Sequence, residues 1–175
     1  ETIVTAISPG TELAAFIGLP PLRAGPQYPR VQGYCNIARV IEVGKDVTNV
    51  TAGGRVLTFQ SHRTSFLIKE TEVLYQLSNK QDARKIVCAY LYHLGYNAVI
   101  RSGIRAGSRV LIIGMGVLGT TSLQMCQISG AVVDVITENK VASELAKTIG
   151  VTSTYDRKEF DQLSLSANAP KYDVV

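Results

Sequence analysis

Residues 109–119, R-V-L-I-I-G-M-G-V-L-G, carry the sharpest hydrophobic pattern in the chain. Val110 to Ile113 are consecutive apolar residues, three of them β-branched, and predict a short strand buried on both faces, as in a parallel sheet. Apolar positions at Leu118, Leu123, Met125, Cys126 and Ile128 predict a helix over 117–129. A second strand follows at 131–137, a helix at 141–149 with Leu145 and Ile149 turned inward, and a third strand at 151–155. Residues 156–170 are polar and read as one weak helix and a loop.

Upstream the period changes. Short apolar runs at 1–7, 33–43, 55–59, 66–69 and 74–77 alternate with turns at 44–47 and 50–54 and predict a β-rich unit. A short helix is expected over 11–17, with Thr11 as a candidate N-cap, ended by Gly18 and Pro20. Pro20, Pro21, Gly25, Pro26 and Pro29 mark a surface loop. Between 81 and 102, apolar residues at 83, 86, 87, 90, 91, 94 and 98 approach helical spacing. They predict one or two helices broken near Gly95, with Asn79 as a candidate cap and Asp82 in the first turn. The order is therefore a β-rich module, helices, then βαβαβ. It divides as residues 1–95 and 96–175.

Three glycines follow the buried strand at once: Gly114, Gly116 and Gly119, in G-x-G-x-x-G spacing. Gly114 suits the tight turn. Gly116 lets a pyrophosphate approach the backbone, and Gly119 lets the helix pack closely on the sheet. A helix beginning at Val117 and Leu118 would aim free N–H groups at phosphates. Strand, loop, helix and strand in this order make the motif a dinucleotide-binding candidate rather than a chance match.

Composition changes this picture little. The 175 residues are 46% hydrophobic and 18% charged, an ordinary soluble globular balance, and no apolar run approaches the roughly 20 residues of a membrane span. The net charge is +4, but Lys and Arg are scattered and no basic run interleaves with aromatics, which argues against nucleic acid. Three cysteines without a C-x-x-C favour free thiols and a cytoplasmic setting. The two histidines, His62 and His93, cannot form a three-histidine metal site. Glu1 to Ile7 reads as mid-strand and Tyr172 to Val175 as a strand just starting, so the protein is expected to continue past both ends.

Taken together, Ile7-Ser8-Pro9-Gly10-Thr11-Glu12, the stretch from Gly33-Tyr34-Cys35 to Val43-Gly44, Gly53-Gly54-Arg55-Val56, Ala106 to Gly114, Ala146 to Gly150 and Tyr172 to Val175 resemble, in order, the medium-chain dehydrogenase/reductase (zinc-type alcohol dehydrogenase-like) superfamily. The resemblance covers nearly the whole chain. It implies a GroES-like catalytic domain followed by a Rossmann domain, here lacking the C-terminal part of the family pattern. It also implies a homodimer or homotetramer acting on a small molecule. Zinc members place a cysteine where this chain has Pro9 and a histidine where it has Tyr34. Proline cannot ligate zinc and tyrosine rarely does. The four-cysteine lobe is missing too, so a zinc-lacking branch with neither catalytic nor structural zinc is expected.

The resemblance then implies an NAD(P)-dependent oxidoreductase that moves a hydride to or from a carbonyl, an alcohol or an activated double bond. Thr11 stands at the family's hydroxyl near the substrate. Tyr34 replaces the ligand histidine, and its phenol could hydrogen-bond a carbonyl. His62 lies on a loop after the 55–59 strand. Each has a plainer alternative: helix cap, packing residue and exposed loop residue. Cys35 reads as a small buried hydrophobe. Gly114, Gly116, Val117, Leu118 and Gly119 would hold the diphosphate. At the end of the second strand, Thr137 with Lys140 would admit a 2′-phosphate while Glu138 would repel one; the balance favours NADP over NAD. The alternative from another class is a catalytically silent member that binds nucleotide as a sensor or scaffold.

Overall fold

The computed structural model describes residues 1–18 and 28–175. Of the loop prolines, Pro20, Pro21 and Pro26 lie outside the described residues. The chain forms two compact units, Glu1–Tyr90 and Leu91–Val175.

The first unit is built on four antiparallel strands in chain order: β1 (Thr2–Thr5), β2 (Asn36–Arg39), β3 (Arg55–Thr58) and β4 (Val73–Leu77). Helix α1 (Pro9–Ile17) follows β1, and α2 (Ala83–Ile86) follows β4. In the β2–β3 register Ile37 faces Leu57 and Ala38 faces Val56. Ala38, Val50 and Val56 form one cluster with Val40, Val47, Phe66 and Val73 against it. Ile37 is fully buried, which contributes about 1.5–3 kcal/mol. Asn36 is buried as well, and its amide donates to the Ser61 carbonyl and the Thr2 hydroxyl, both at 3.0 Å.

Two strand expectations are corrected. Only Asn36–Arg39 of residues 33–43 pairs as a strand, and residues 66–69 form none. The alternation over 33–43 is real, but a strand exists only where a partner takes its N–H and C=O groups. Beyond Arg39 the pairing narrows to Val40 with Gly53 and Gly54, and Ile41 is 60% exposed.

Helix α3 (Ala89–Ser102) begins at the junction of the units. The break expected near Gly95 falls instead between α2 and α3, at Val87 and Cys88. Asp82 caps α2, accepting from Arg84 N at 2.9 Å, in place of Asn79. Gly95 lies inside α3 because α4 (Val117–Ile128) crosses there: a Cβ on Gly95 would stand 2.6 Å from the Thr121 carbonyl carbon.

The second unit is a parallel sheet of β5 (Arg109–Ile113), β6 (Val132–Ile136) and β7 (Ser153–Tyr155), in that order. Helices α4, α5 (Lys140–Ile149) and α6 (Arg157–Ser164) follow the three strands in turn. Val174 pairs in parallel with Val110 on the far edge of β5. The spatial order is thus Val174, β5, β6, β7, and the winding reverses at β5. In open parallel sheets, ligands bind outside the carboxyl ends of the strands at such a reversal. Val99, Val110, Leu123, Cys126, Val133, Val135 and Ala146 form the core of this unit. Asp134 is also buried; Tyr172 donates its phenol to Asp134 Oδ2 at 2.8 Å, and the Arg109 guanidinium stands 3.6 Å from the same oxygen. No helix among the described residues is long and apolar enough to cross a membrane.

Candidate functional site

The reversal point is occupied by the glycine loop. Gly114 turns at φ +93°, a region open to glycine, and donates its N–H to the Ile136 carbonyl at 2.9 Å. This bond ties the loop to the end of the neighbouring strand. A Cβ on Gly119 would fall 1.9 Å from the Gly114 carbonyl oxygen, so no other residue permits this closeness of helix and loop. Gly116 caps α4 with no side-chain hydrogen bond, and nothing lies within 4 Å of where its Cβ would be. The first-turn N–H groups of Val117, Leu118 and Gly119 have no intrahelical acceptor by the geometry of any helix start. Open backbone, free donors and the positive end of the helix dipole together fit a diphosphate.

Ile113 and Ile136 are in register, so the end of β6 lies beside this loop. Thr137 still belongs to the sheet edge, donating its N–H to Tyr155 O at 2.9 Å. Its hydroxyl accepts from Asn139 N at 3.3 Å, and Asn139 in turn caps α5. Lys140 is exposed at the first helical position. Glu138 points elsewhere: its Oε1 accepts from Arg157 N at 2.8 Å.

In the first unit the structure joins His62 to a residue the sequence reading passed over. His62 Nε2 lies 3.0 Å from Glu12 Oε2. An ionised carboxylate only accepts, so Nε2 carries the proton and Nδ1 is left as the acceptor atom. Nδ1 is buried and has no partner among the described residues. Glu12 Oε1 meanwhile accepts from Ser8 N at 2.8 Å, holding the start of α1. Gly33 has φ +92° and lies under the imidazole; a Cβ there would meet the ring at 2.4 Å. An acid in the first turn of α1 was the available signal for Glu12, since a carboxylate is favoured at the positive end of a helix.

Thr11 is not an N-cap. Helix α1 begins two residues earlier, at Pro9, with Ser8 as the capping position. Proline suits the first helical position because its missing N–H would have no acceptor. Thr11 is exposed within the first turn. Tyr34, adjacent to Gly33, packs edge-on against Tyr90 with ring centroids 5.4 Å apart, and Phe59 packs on Tyr90 at 5.0 Å. Cys35 is 1% exposed, and burial, followed by the nearby Cys88 and Glu12, pushes its thiol from 9.0 up to about 11. A thiol so placed stays protonated at neutral pH and packs as a hydrophobe. Among the described residues no three His, Cys, Asp or Glu side chains converge as metal ligands would.

No family model matches the chain, and no curated protein matches it. Solved structures do. A zinc-dependent alcohol dehydrogenase from Streptococcus pneumonia superposes with a TM-score of 0.71 at 20% identity, over 91% of this chain and 55% of its own. A protein from Sinorhizobium meliloti 1021, described as a zinc-binding dehydrogenase and bound to NADP, gives 0.68 at 23%, over 81% and 50%. A quinone oxidoreductase from Thermus thermophilus, solved also with NADPH, gives 0.64 at 15%, over 89% and 50%. The chain therefore shares the fold of these dehydrogenases and oxidoreductases, a GroES-like antiparallel module followed by a Rossmann unit. The chain spans about half the length of the structures it matches.

Proposed function

We propose that the chain is part of a zinc-independent, NAD(P)-dependent oxidoreductase acting on a carbonyl, an alcohol or an activated double bond. The carrying observation is the loop at the reversal point: backbone open over Gly116, with Gly119 pressed onto the Gly114 carbonyl beneath it. Gly114, Gly116, Val117, Leu118 and Gly119 would hold the diphosphate, and Thr137 with Lys140 the adenosine end. The dinucleotide, when bound, supplies or accepts the hydride. Everything else falls to the chain's own groups.

The proton-handling groups of this reading are in the first unit. Glu12 orients the His62 imidazole through Nε2, and this pair is the proposed proton-handling group. The hydroxyls of Thr11 and Tyr34 are the donors proposed for an oxygen that gains negative charge. Such donors supply polarisation that a Lewis-acidic metal otherwise provides. That two of the matched structures hold NADP or NADPH supports a phosphorylated cofactor.

Titration with NADPH, followed by the fluorescence of its nicotinamide, tests the loop. Wild type binds, and Gly116→Val, which places a branched side chain where the diphosphate would lie, loses at least about tenfold in affinity, the scale of a lost set of charge-assisted hydrogen bonds. Equal affinity of the two proteins would remove the basis for this reading. Turnover of a carbonyl panel that persists after exhaustive chelation, with zinc far below one per chain, is the outcome expected for metal independence.

A further inference from the structure

Two residues at the end of β6 pull cofactor choice in opposite directions, and the structure separates them. Glu138 stands one residue past Thr137, close to the offset at which an acid takes the ribose hydroxyls and excludes a 2′-phosphate. Its carboxylate is not free to do so. Oε1 accepts from the backbone N–H of Arg157, the first helical residue of α6, at 2.8 Å. That N–H is one of those a helix cannot satisfy internally. Two neighbouring donors are already taken: Asp156 accepts from Glu159 N at 2.7 Å, and Glu159 accepts from Asp156 N at 2.9 Å. Glu138 thus takes one of the donors left open at a helix start, where the dipole favours a carboxylate.

We infer that Glu138 sets cofactor preference by being held on α6: while Arg157 N–H keeps its carboxylate, the end of β6 offers the Thr137 hydroxyl and the Lys140 ammonium and admits a 2′-phosphate. Released, the same carboxylate accepts from the ribose hydroxyls and repels that phosphate. The inference rests on the dinucleotide reading above and adds a residue that decides between its two forms. Lys140 is exposed at the start of α5, so its charge is available at the same end of the sheet.

Proline at 157 tests this cleanly. Residue 157 is the first position of α6, which proline favours, and Asp156 before it is extended at ψ 170°, as a residue preceding proline must be. Arg157→Pro therefore deletes the N–H and keeps the helix, while Arg157→Ala removes the same guanidinium and keeps the N–H. Dissociation constants for NADPH and NADH are measured on the full chain for both. Arg157→Pro is expected to shift the ratio toward NADH by at least about tenfold relative to Arg157→Ala, the worth of one charge-assisted hydrogen bond. Adding Glu138→Gln to Arg157→Pro returns the preference to NADPH. Glu138→Asp, which keeps the charge on a stem too short for the Arg157 N–H, shifts the ratio the same way as proline and covers the case in which Arg157→Pro does not fold.

Equal ratios for Arg157→Pro and Arg157→Ala, an unchanged ratio in Glu138→Asp, or a shift that survives Glu138→Gln overturns the inference. A wild type that binds NADPH without preference over NADH overturns it too and leaves the dinucleotide reading standing. A wild type that binds neither nucleotide overturns both.

Discussion

At the scale of single residues, what matters is which atoms lie within bonding or clashing distance. His62 illustrates it: Glu12 fixes one ring nitrogen and Gly33 makes room for the ring. Gly33→Ala is expected to dislodge the imidazole, because a methyl group would meet it at 2.4 Å and the backbone at φ +92° disfavours any side chain. The long-range nitrogen–proton spectrum of His62 reads this directly: the protonated-Nε2 tautomer dominates in wild type and is lost in Gly33→Ala. A mixture of tautomers already present in wild type would contradict the pairing. Cys35 gives a pH prediction. Its thiol ionises near 11 in the folded chain against 9.0 for an unburied thiol. The unfolded state therefore releases the proton first, and stability, fully present below about pH 9, falls as the pH rises toward 11. Burial raises Cys88 and Cys126 in the same sense. Urea unfolding at pH 8.5 and 10.5 should show this loss, and Cys35→Ala should make it shallower.

At the scale of elements, the helices show where local pattern suffices and where it does not. The apolar spacing over 81–102 is a true helical signal, and the structure keeps it as α2 and α3. Glycine is the weakest ordinary helix former, so a break at Gly95 follows from propensity. The close crossing of α4 overrides that propensity. Gly95→Ala, which improves α3 in isolation, is expected to destabilise the fold by about 1–3 kcal/mol, as overpacking does. Thermal or urea unfolding decides the sign. The strand expected at 66–69 is absent for the complementary reason: its short apolar run is intact, but no partner strand among the described residues pairs with it. A pattern in one segment carries no record of its partner.

At the scale of whole units, links between distant segments hold the parallel sheet's outer edge. Tyr172 reaches across from the Val174 segment to Asp134 on β6, while Arg109 on β5 stands beside both, its guanidinium 5.9 Å from the Tyr172 ring centroid. Burial and then the hydrogen bond to the Asp134 carboxylate push the Tyr172 phenol well above its ordinary range, which favours the protonated, donating form. Tyr172→Phe is expected to cost about 1–3 kcal/mol, because Asp134 Oδ2 loses its close donor while Oδ1 has none among the described residues. Asp134→Asn in the Tyr172→Phe background should cost less than the sum of the two single changes, which a double-mutant cycle on urea midpoints measures.

The sequence by itself determined the order of elements around the glycine loop and the turn that the loop makes. Buried strand, three spaced glycines, amphipathic helix and second strand are local features, dictated by backbone freedom and hydrophobic period within about 30 residues. From them came the Rossmann unit, and the joint order of motifs extended the reading to the GroES-like module before it. Tertiary structure decided what depends on approach between distant segments. It paired Glu12 with His62 across 50 residues, set Gly95 against α4, and turned Glu138 from β6 onto the first N–H of α6. Period and propensity act along the chain, whereas these contacts are fixed only when separate elements pack, and no residue type announces which distant donor it will meet.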